Sequence, residues 1–375
     1  MALLLLPGIV LPALGALAGG GWYYSDSLKS GALQPDRDPA KRDLQVVAID
    51  GGQVTLRATD AAGDDGDWTK DGTFGLEGQD AYGQVGPIRQ IDAHQVTRTF
   101  TPLLGLPNVG DLVRLDSFAF PDDPRQAFGI EFQEVAVDSA LGELPAWFVD
   151  GPRDTWAIFV HGKGANRKES LRMLPSVTNM GFPALAITYR NDPEAPAGPD
   201  GFYRYGQTEW EDLQAAAEYA LQRGAARLVL IGYSMGGAIV VNFLYQSPLA
   251  DHVAVAVLDS PMLDLDATVE WGGRNRLAPG FLKTVGKTIA GWRFDIDWNE
   301  LDYLRRAGEL RTPILLFHGD ADPKVPVETS DELAAARPDI VTYVRAAGAG
   351  HVRSWNTDPA SYEAAVREFL ARVPP

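Results

Sequence analysis

The chain has no cysteine among its 375 residues. That absence excludes disulfides, thiolate catalysis and cysteine-ligated zinc, and it leaves the redox compartment open. Dense basic runs are missing too: 33 Lys and Arg stand against 50 Asp and Glu, for a net charge of -17. Such a chain repels a phosphate backbone, so nucleic acid is excluded as a partner. Charge of either sign is missing between Ala2 and Ser25. Whatever chemistry occurs must therefore draw on oxygen and imidazole. The 45% hydrophobic content is ample for a buried core, and the length suits one domain of ordinary size with a smaller one beside it.

The uncharged N-terminal stretch holds Leu3 to Leu6, Ile9, Val10, Leu11, Leu14 and Leu17 and is greasy enough to enter a bilayer. About 20 apolar residues span a membrane, so Ala2 to Gly21 would just suffice, with Trp22, Tyr23 and Tyr24 as an interfacial belt. Residues 1–25 are expected to be a transmembrane anchor or a signal segment, the latter because Ala16-Leu17-Ala18 has the small-x-small form of a cleavage site. Either reading makes the protein membrane-anchored or exported, on a side of the membrane left undecided. Residues 26–43 are polar and hold Pro35 and Pro39, the composition of a linker.

Residues 44–130 read as a small β-rich domain, a barrel or a sandwich. Leu44 to Ile49, the turn Asp50-Gly51-Gly52 and Val54 to Ala58 make a hairpin, with further strands at Gln95 to Phe100, Leu112 to Leu115 and Phe118 to Phe120. Asp64, Asp65, Asp67 and Asp71 invite a calcium reading, and Asp67, Thr69, Asp71 and Gly72 match the start of an EF-hand loop. The match fails at the twelfth position, which is Gly78 rather than Glu, so a solvated acidic loop is expected.

From about residue 131 onward, apolar β-branched strands alternate with helices. The strands are Trp156 to Val160, Ala184 to Thr188, Leu228 to Tyr233, Val253 to Leu258, Ile314 to Phe317 and Val341 to Val344; two more, at Phe132 to Val137 and Leu144 to Val149, precede them. This alternation predicts an α/β architecture, a mostly parallel sheet with helices on both faces, whose ligands sit at the carboxyl ends of the strands. At one such end stands Gly232-Tyr233-Ser234-Met235-Gly236. A serine on so sharp a strand-to-helix turn is strained, with its hydroxyl lifted clear of the sheet, and its neighbours two before and two after must be small. Gly232 and Gly236 are. Two later strand ends carry His318-Gly319-Asp320-Ala321-Asp322-Pro323-Lys324-Val325-Pro326 and Gly348-Ala349-Gly350-His351, so acid and base types follow the serine in the order Ser, Asp, His.

Through these segments and His161-Gly162-Lys163-Gly164, residues 132–375 resemble the α/β-hydrolase superfamily, esterases and prolyl-oligopeptidase-like serine hydrolases included. The resemblance implies a Ser-His-Asp triad of Ser234, His351 and Asp322, with Asp320 and Asp259 as rivals for the acid. It further implies an oxyanion hole made by the backbone N–H groups of Met235 and Lys163. The physics of the residue types agrees: serine needs an imidazole to take its proton, and a carboxylate on the other ring nitrogen fixes the tautomer. His161 and His318 are expected to make ring-to-backbone bonds in their His-Gly turns, and His94 and His252 have no catalytic context. About 50 residues, 261–311, exceed what the fold needs and are expected to form a small lid, with Trp271, Phe281, Trp292, Phe294 and Trp298 packing it down or meeting substrate. The expected activity is carboxylic-ester hydrolysis of a small acyl ester, with no cofactor and no metal. A serine peptidase and a catalytically idle interaction module are the alternatives.

Overall fold

The computed structural model describes residues 18–35, 41–60, 62, 67–92, 94–274 and 280–374. Six strands, β1 (Leu44–Asp50), β2 (Gln53–Ala58), β3 (Phe74–Glu77), β4 (Tyr82–Ile91), β5 (Gln95–Leu104) and β6 (Leu112–Asp116), close a barrel in the order β1-β2-β5-β4-β3-β6. The expected β1–β2 hairpin forms, turning at Gly51 and Gly52, both at positive φ, where glycine alone is unstrained. Alternation along the strands sends Leu44, Val46, Val54, Leu56, Phe74, Leu76, Val85, Val96, Phe100 and Val113 inward, which is the barrel's apolar filling.

One cation lies fully buried in that barrel. Arg98 donates to the carbonyl oxygens of Gly86 (3.0 Å), Trp68 (3.1 Å), Gly72 (3.4 Å) and Lys70. The loop once readable as a calcium site is thus pinned from inside by a guanidinium. Asp64 and Asp65 lie outside the described residues, and the Asp71 carboxylate accepts the amides of Ile88 (2.8 Å) and Gly72 (3.1 Å). Among the described residues no cluster of acidic or imidazole groups is placed to hold a metal.

A short helix, α2 (Pro124–Phe128), leads into the second unit. Its sheet is built from β7 (Gln133–Ser139), β8 (Gly142–Val149), β9 (Thr155–Val160), β10 (Ala184–Ile187), β11 (Arg227–Tyr233), β12 (Val253–Asp259), β13 (Ile314–Gly319) and β14 (Val341–Ala346). The order is β14-β13-β12-β11-β9-β10-β8-β7, with the six strands from β9 to β14 parallel and β7 and β8 antiparallel at one edge. Every residue of β9 and β13 is buried, which is why those strands are written almost wholly in apolar residues. Helices α4 (Trp210–Gln222) and α5 (Met235–Gln246) pack together against one face, and α3 (Leu174–Thr178) and α10 (Pro359–Leu370) against the other. Helices α6 (Leu265–Gly272) and α7 (Gly280–Phe294) fill the segment between β12 and β13, α8 (Glu328–Ala336) follows β13, and α9 (Ser354–Thr357) follows β14.

The N-terminal region departs from expectation. Residues 1–17 of the expected anchor lie outside the described residues, and among the described ones no helix is long and apolar enough to cross a membrane. Residues 18–28 form a helix, α1, that ends in a π-helical turn, Lys29–Leu33, and docks on α7. Gly20 and Gly21 let its backbone approach Leu282, Val285 and Ile289, and Ser25 is fully buried. The start of the expected linker is therefore a packed part of the second unit: Leu33 is 2% exposed, its carbonyl accepts from Tyr203 N–H (2.8 Å), and that of Ala32 accepts from Tyr205 Oη (2.8 Å). The reason is geometric: the fold brings Tyr203 and Tyr205 to the carbonyls of Leu33 and Ala32, contacts that the polar count of residues 26–33 gives no hint of.

Arg98→Met tests the barrel's internal staple. It would strand four carbonyl groups in and around a buried site, at about 1–3 kcal/mol per unsatisfied group before relaxation. We expect a loss of at least about 3 kcal/mol in urea unfolding followed by barrel tryptophan Trp68 fluorescence; a midpoint unchanged from the parent would refute the staple.

Candidate active site

Ser234 occupies the turn between β11 and α5 with φ 50° and ψ -115°, a conformation that costs a non-glycine residue energy. The turn is possible because its flanks have no side chains. A Cβ on Gly232 would lie 2.6 Å from the Gly236 carbonyl oxygen, and one on Gly236 would lie 2.6 Å from that of His161. The strain aims the Ser234 hydroxyl at His351, whose Nε2 stands 2.8 Å from Oγ. Nδ1 of the same ring is 2.7 Å from Asp322 Oδ2. Three side chains from three strand ends thus form one hydrogen-bonded chain. Asp320 and Asp259 are not in it. The Asp320 carboxylate accepts Gly348 N–H (2.7 Å) at the surface, and Asp259 is buried among Ser260 Oγ (3.3 Å) and Ser354 Oγ (3.1 Å).

Asp322 is held from several sides. Its Oδ1 accepts the amides of Lys324 (2.8 Å) and Val325 (2.9 Å), and its Oδ2 also lies 3.3 Å from His318 Nε2, whose Nδ1 meets Ser330 Oγ at 2.7 Å. Burial alone would raise its pKa, but the hydrogen bonds from His318 and His351 outweigh burial and hold the carboxyl well below the usual range. His318 is therefore more than a turn histidine: it backs the acid. The His-Gly pair offered no sign of this, because Asp322 and Ser330 come to the ring only through the bend after β13. Burial lowers the pKa of His351 below the ordinary imidazole value; Asp322 pulls it up, and the nearby Lys324 and Arg353 push it down again.

The turn after β9 lies against the serine, since a Cβ on Gly162 would meet Ser234 Cβ at 3.2 Å. His161 anchors this turn through Nδ1 to Gly162 O (2.9 Å), the ring-to-backbone bond expected of it, and through Nε2 to the buried Asp192 (2.9 Å), while its ring stacks on Tyr189. Although burial opposes it, Asp192 raises the His161 pKa, which favours an imidazolium paired with a carboxylate. Gly162 N–H is committed to Glu169 Oε2 (2.7 Å). Lys163 is next in the turn, and Met235 is the first residue of α5, where a backbone N–H has no acceptor inside the helix.

Sequence reasoning missed the framework behind these residues. Buried Arg172 donates to Glu169 Oε1 (3.1 Å), to the Val352 carbonyl (2.8 Å) and to Asn356 Oδ1 (3.2 Å). Asn356 in turn donates to the carbonyls of Thr73 (2.7 Å) and Ser117 (2.9 Å), at the barrel's end. Ser260, at φ 48°, accepts the Val352 amide at 3.1 Å, beside His351. These contacts join residues 73 to 356 in sequence, and no local pattern marks them.

A cavity of about 640 Å³ opens at Ser234 and His351. Leu28 and Ala32 of the N-terminal helix, Met262, Leu265 and Val269 give it apolar walls. None of the five aromatic residues expected either to pack this segment down or to meet substrate lines the cavity. Trp271 Nε1 donates to the Asp322 carbonyl (3.1 Å), Phe294 is buried, and Phe281 and Trp292 are 59% and 78% exposed. Lysines from α7 line the cavity instead.

Residues 199–373 match the Prolyl oligopeptidase family. The chain is 26% identical over 236 residues to the protein YfhR of Escherichia coli O157:H7, covering 59% of this chain and 74% of that one. It is 26% identical over 213 residues to dipeptidyl aminopeptidase BIII of Pseudoxanthomonas mexicana, covering 52% and 30%. Among solved structures, the esterase Pf2001 of Pyrococcus furiosus superposes with a TM-score of 0.54 at 22% identity, over 68% of this chain and 97% of that one. A puromycin-hydrolyzing peptidase of Mycobacterium tuberculosis superposes with a TM-score of 0.51 at 18% identity, over 87% and 46%.

Arg172→Met would leave the buried Glu169 carboxylate without its cation. Breaking a buried pair in this way costs on the order of 3–5 kcal/mol, so we predict a loss of that size in chemical denaturation; a change under about 1 kcal/mol would show that the pair carries little.

Proposed function

We propose that this member of the α/β-hydrolase superfamily is a serine hydrolase that cleaves carboxylic esters through an acyl-enzyme. The observation that carries the reading is the continuous Asp322–His351–Ser234 hydrogen-bonded chain at the mouth of a partly apolar cavity. In this reading Ser234 Oγ attacks the ester carbonyl as His351 Nε2 takes its proton, and Asp322 stabilises the imidazolium and fixes the tautomer. The N–H groups of Met235 and Lys163 receive the developing oxyanion, the second falling to Lys163 because Gly162 N–H is already bound to Glu169. His351 then returns the proton to the leaving alkoxide, and water repeats the sequence to release the acid. A catalytically idle module fits less well, since nothing in a binding role calls for a strained serine within hydrogen-bond distance of an imidazole.

The peptidase reading has a specific support of its own, the family match over residues 199–373. The barrel weighs against it. A six-stranded closed barrel has no propeller channel to sort peptides, and none of its strands lines the cavity. Ester cleavage also asks less of His351, because an alkoxide leaves more readily than an amine. We further propose that α6 and α7 act as the lid over the acyl site, since Leu265, Thr268, Val269, Lys283 and Lys287 all border the cavity. A membrane-anchored or exported location stays a proposal on the apolar sequence Ala2 to Gly21 and on the exposed Trp22, Tyr23, Phe281 and Trp292 of the docked helix pair.

Ser234→Ala should abolish ester turnover and fluorophosphonate labelling while the fold survives; full turnover in that variant would remove the serine from the mechanism. On purified protein, p-nitrophenyl esters of short and medium acyl chains should be cleaved far faster than peptide p-nitroanilides, and efficient anilide cleavage beside negligible ester turnover would favour the peptidase. Because only neutral His351 can accept the proton and its pKa lies below the ordinary value, the acidic limb of kcat/KM should fall with a midpoint under pH 6.5. A midpoint above that value would contradict the assignment.

A further inference from the structure

The protein carries a net charge of -17, yet the wall of its candidate active-site cavity is basic. Lys163, Lys283, Lys287, Lys324 and Arg353 border it, against two carboxylates, Glu169 and Glu270. Glu169 binds Arg172 (3.1 Å), which is not one of the five, and Glu270 binds Lys287 (2.7 Å), which is. The five cations come from four separate segments, so a search for a basic run along the sequence finds none. Lys324 and Arg353 stand close enough to His351 to depress its pKa, which places positive potential at the reacting centre itself.

Lys283 is the most informative of the five. It is half-buried on α7, one turn before Lys287, and its ammonium donates to the Gly273 carbonyl at 2.9 Å. Lys287 is engaged by Asp266 and Glu270, whereas among the described residues no carboxylate pairs with Lys283. An ammonium has three donors, and the carbonyl takes one. Lys283 lines a cavity whose walls also hold the aliphatic Leu28, Met262, Leu265 and Val269. We infer that this site selects an ester bearing an anionic group, a carboxylate or a phosphate, beside its apolar chain, with Lys283 as the residue that recognises the anion. The inference rests on the serine-hydrolase reading above and narrows its substrate. A cavity of one sign in a protein of the other focuses field lines at its mouth and draws anions past a repelling surface, an effect that salt weakens.

The test uses pairs of esters matched in size. On the acyl side, mono-p-nitrophenyl glutarate is compared with p-nitrophenyl valerate; on the alcohol side, a short-chain 1-acylglycerol-3-phosphate is compared with the corresponding monoacylglycerol. At about 20 mM salt, kcat/KM should favour the anionic member of at least one pair by about fivefold or more, and the gap should close by about 0.5 M. The pair that responds identifies which side of the ester carries the anion. Lys283→Gln should bring the responding pair near parity, mainly by raising KM for the anionic ester, while Lys283→Arg keeps the preference. Neutral esters equal or better in both pairs, or a preference untouched by Lys283→Gln, would overturn the inference while leaving fluorophosphonate labelling of Ser234 intact. Absence of both labelling and ester turnover would instead bring down the hydrolase reading, and this inference with it.

Discussion

The site depends on one close passage of backbone: the first turn of α5 runs against the carboxyl end of β9 at a distance that tolerates no side chain on Gly236. That passage holds the β9 turn and Ser234 side by side and keeps the serine's backbone at positive φ, where its hydroxyl points away from the sheet. Strain of this kind persists only where surrounding structure over-determines it. Here the over-determination is visible, since β11 is hydrogen-bonded on both sides, to β9 and β12, and α5 is buried through most of its length.

Rigidity at the serine would mean little if the histidine segment could drift, and this is where the barrel enters. Residues 351–357 carry few strong structural signals of their own: Val352 sits at φ 52° and α9 is only four residues long. They are held by Arg172 on one side, by Asp259 through Ser354 and by Ser260 beneath, and by the barrel's Thr73 and Ser117 through Asn356. Arg172 also fixes Glu169, which holds the β9 turn through Gly162. One buried guanidinium therefore spans the segment that carries His351 and the β9 turn that lies against Ser234. Placement of this sort is worth several kcal/mol to a reaction when it is accurate and little when it is not.

Much of this was legible because it is periodic or local. The parallel strands read as apolar runs since both faces are covered, and the serine elbow reads from its glycines since the collision they avoid is two residues away. The chain order of serine, aspartate and histidine places the three residues at the ends of β11, β13 and β14, with β12 passed over. What escaped is long-range. Arg172 and Asn356 look like ordinary polar residues until the fold brings residues 73, 117, 169 and 352 to them. Residues 26–33 read as linker because the residues that hold them, Tyr203 and Tyr205, stand far away in sequence. The acidic stretch from residue 67 was expected to be a solvated loop, and only the fold brings Arg98 of β5 to the carbonyls of Trp68 and Gly72 within it.

The contrast between Asp322 and Asp259 explains why one strand end and not its neighbour can serve the imidazole. Both carboxylates are buried at the ends of adjacent parallel strands. Asp259 meets two serine hydroxyls, its Oδ2 has no hydrogen-bond partner among the described residues, and burial pushes its pKa up to about 6. Asp322 has two backbone amides and two imidazoles around it, and its pKa is driven the other way. A group that steadies an imidazolium must remain ionised while a positive charge forms beside it, which requires a carboxylate whose charge is already solvated by fixed donors. Two similar residues are thus sorted by environment into an anchor and a charge partner. The sorting follows from the bend after β13, where the amides of Lys324 and Val325 turn back onto Asp322, and not from any property of aspartate itself.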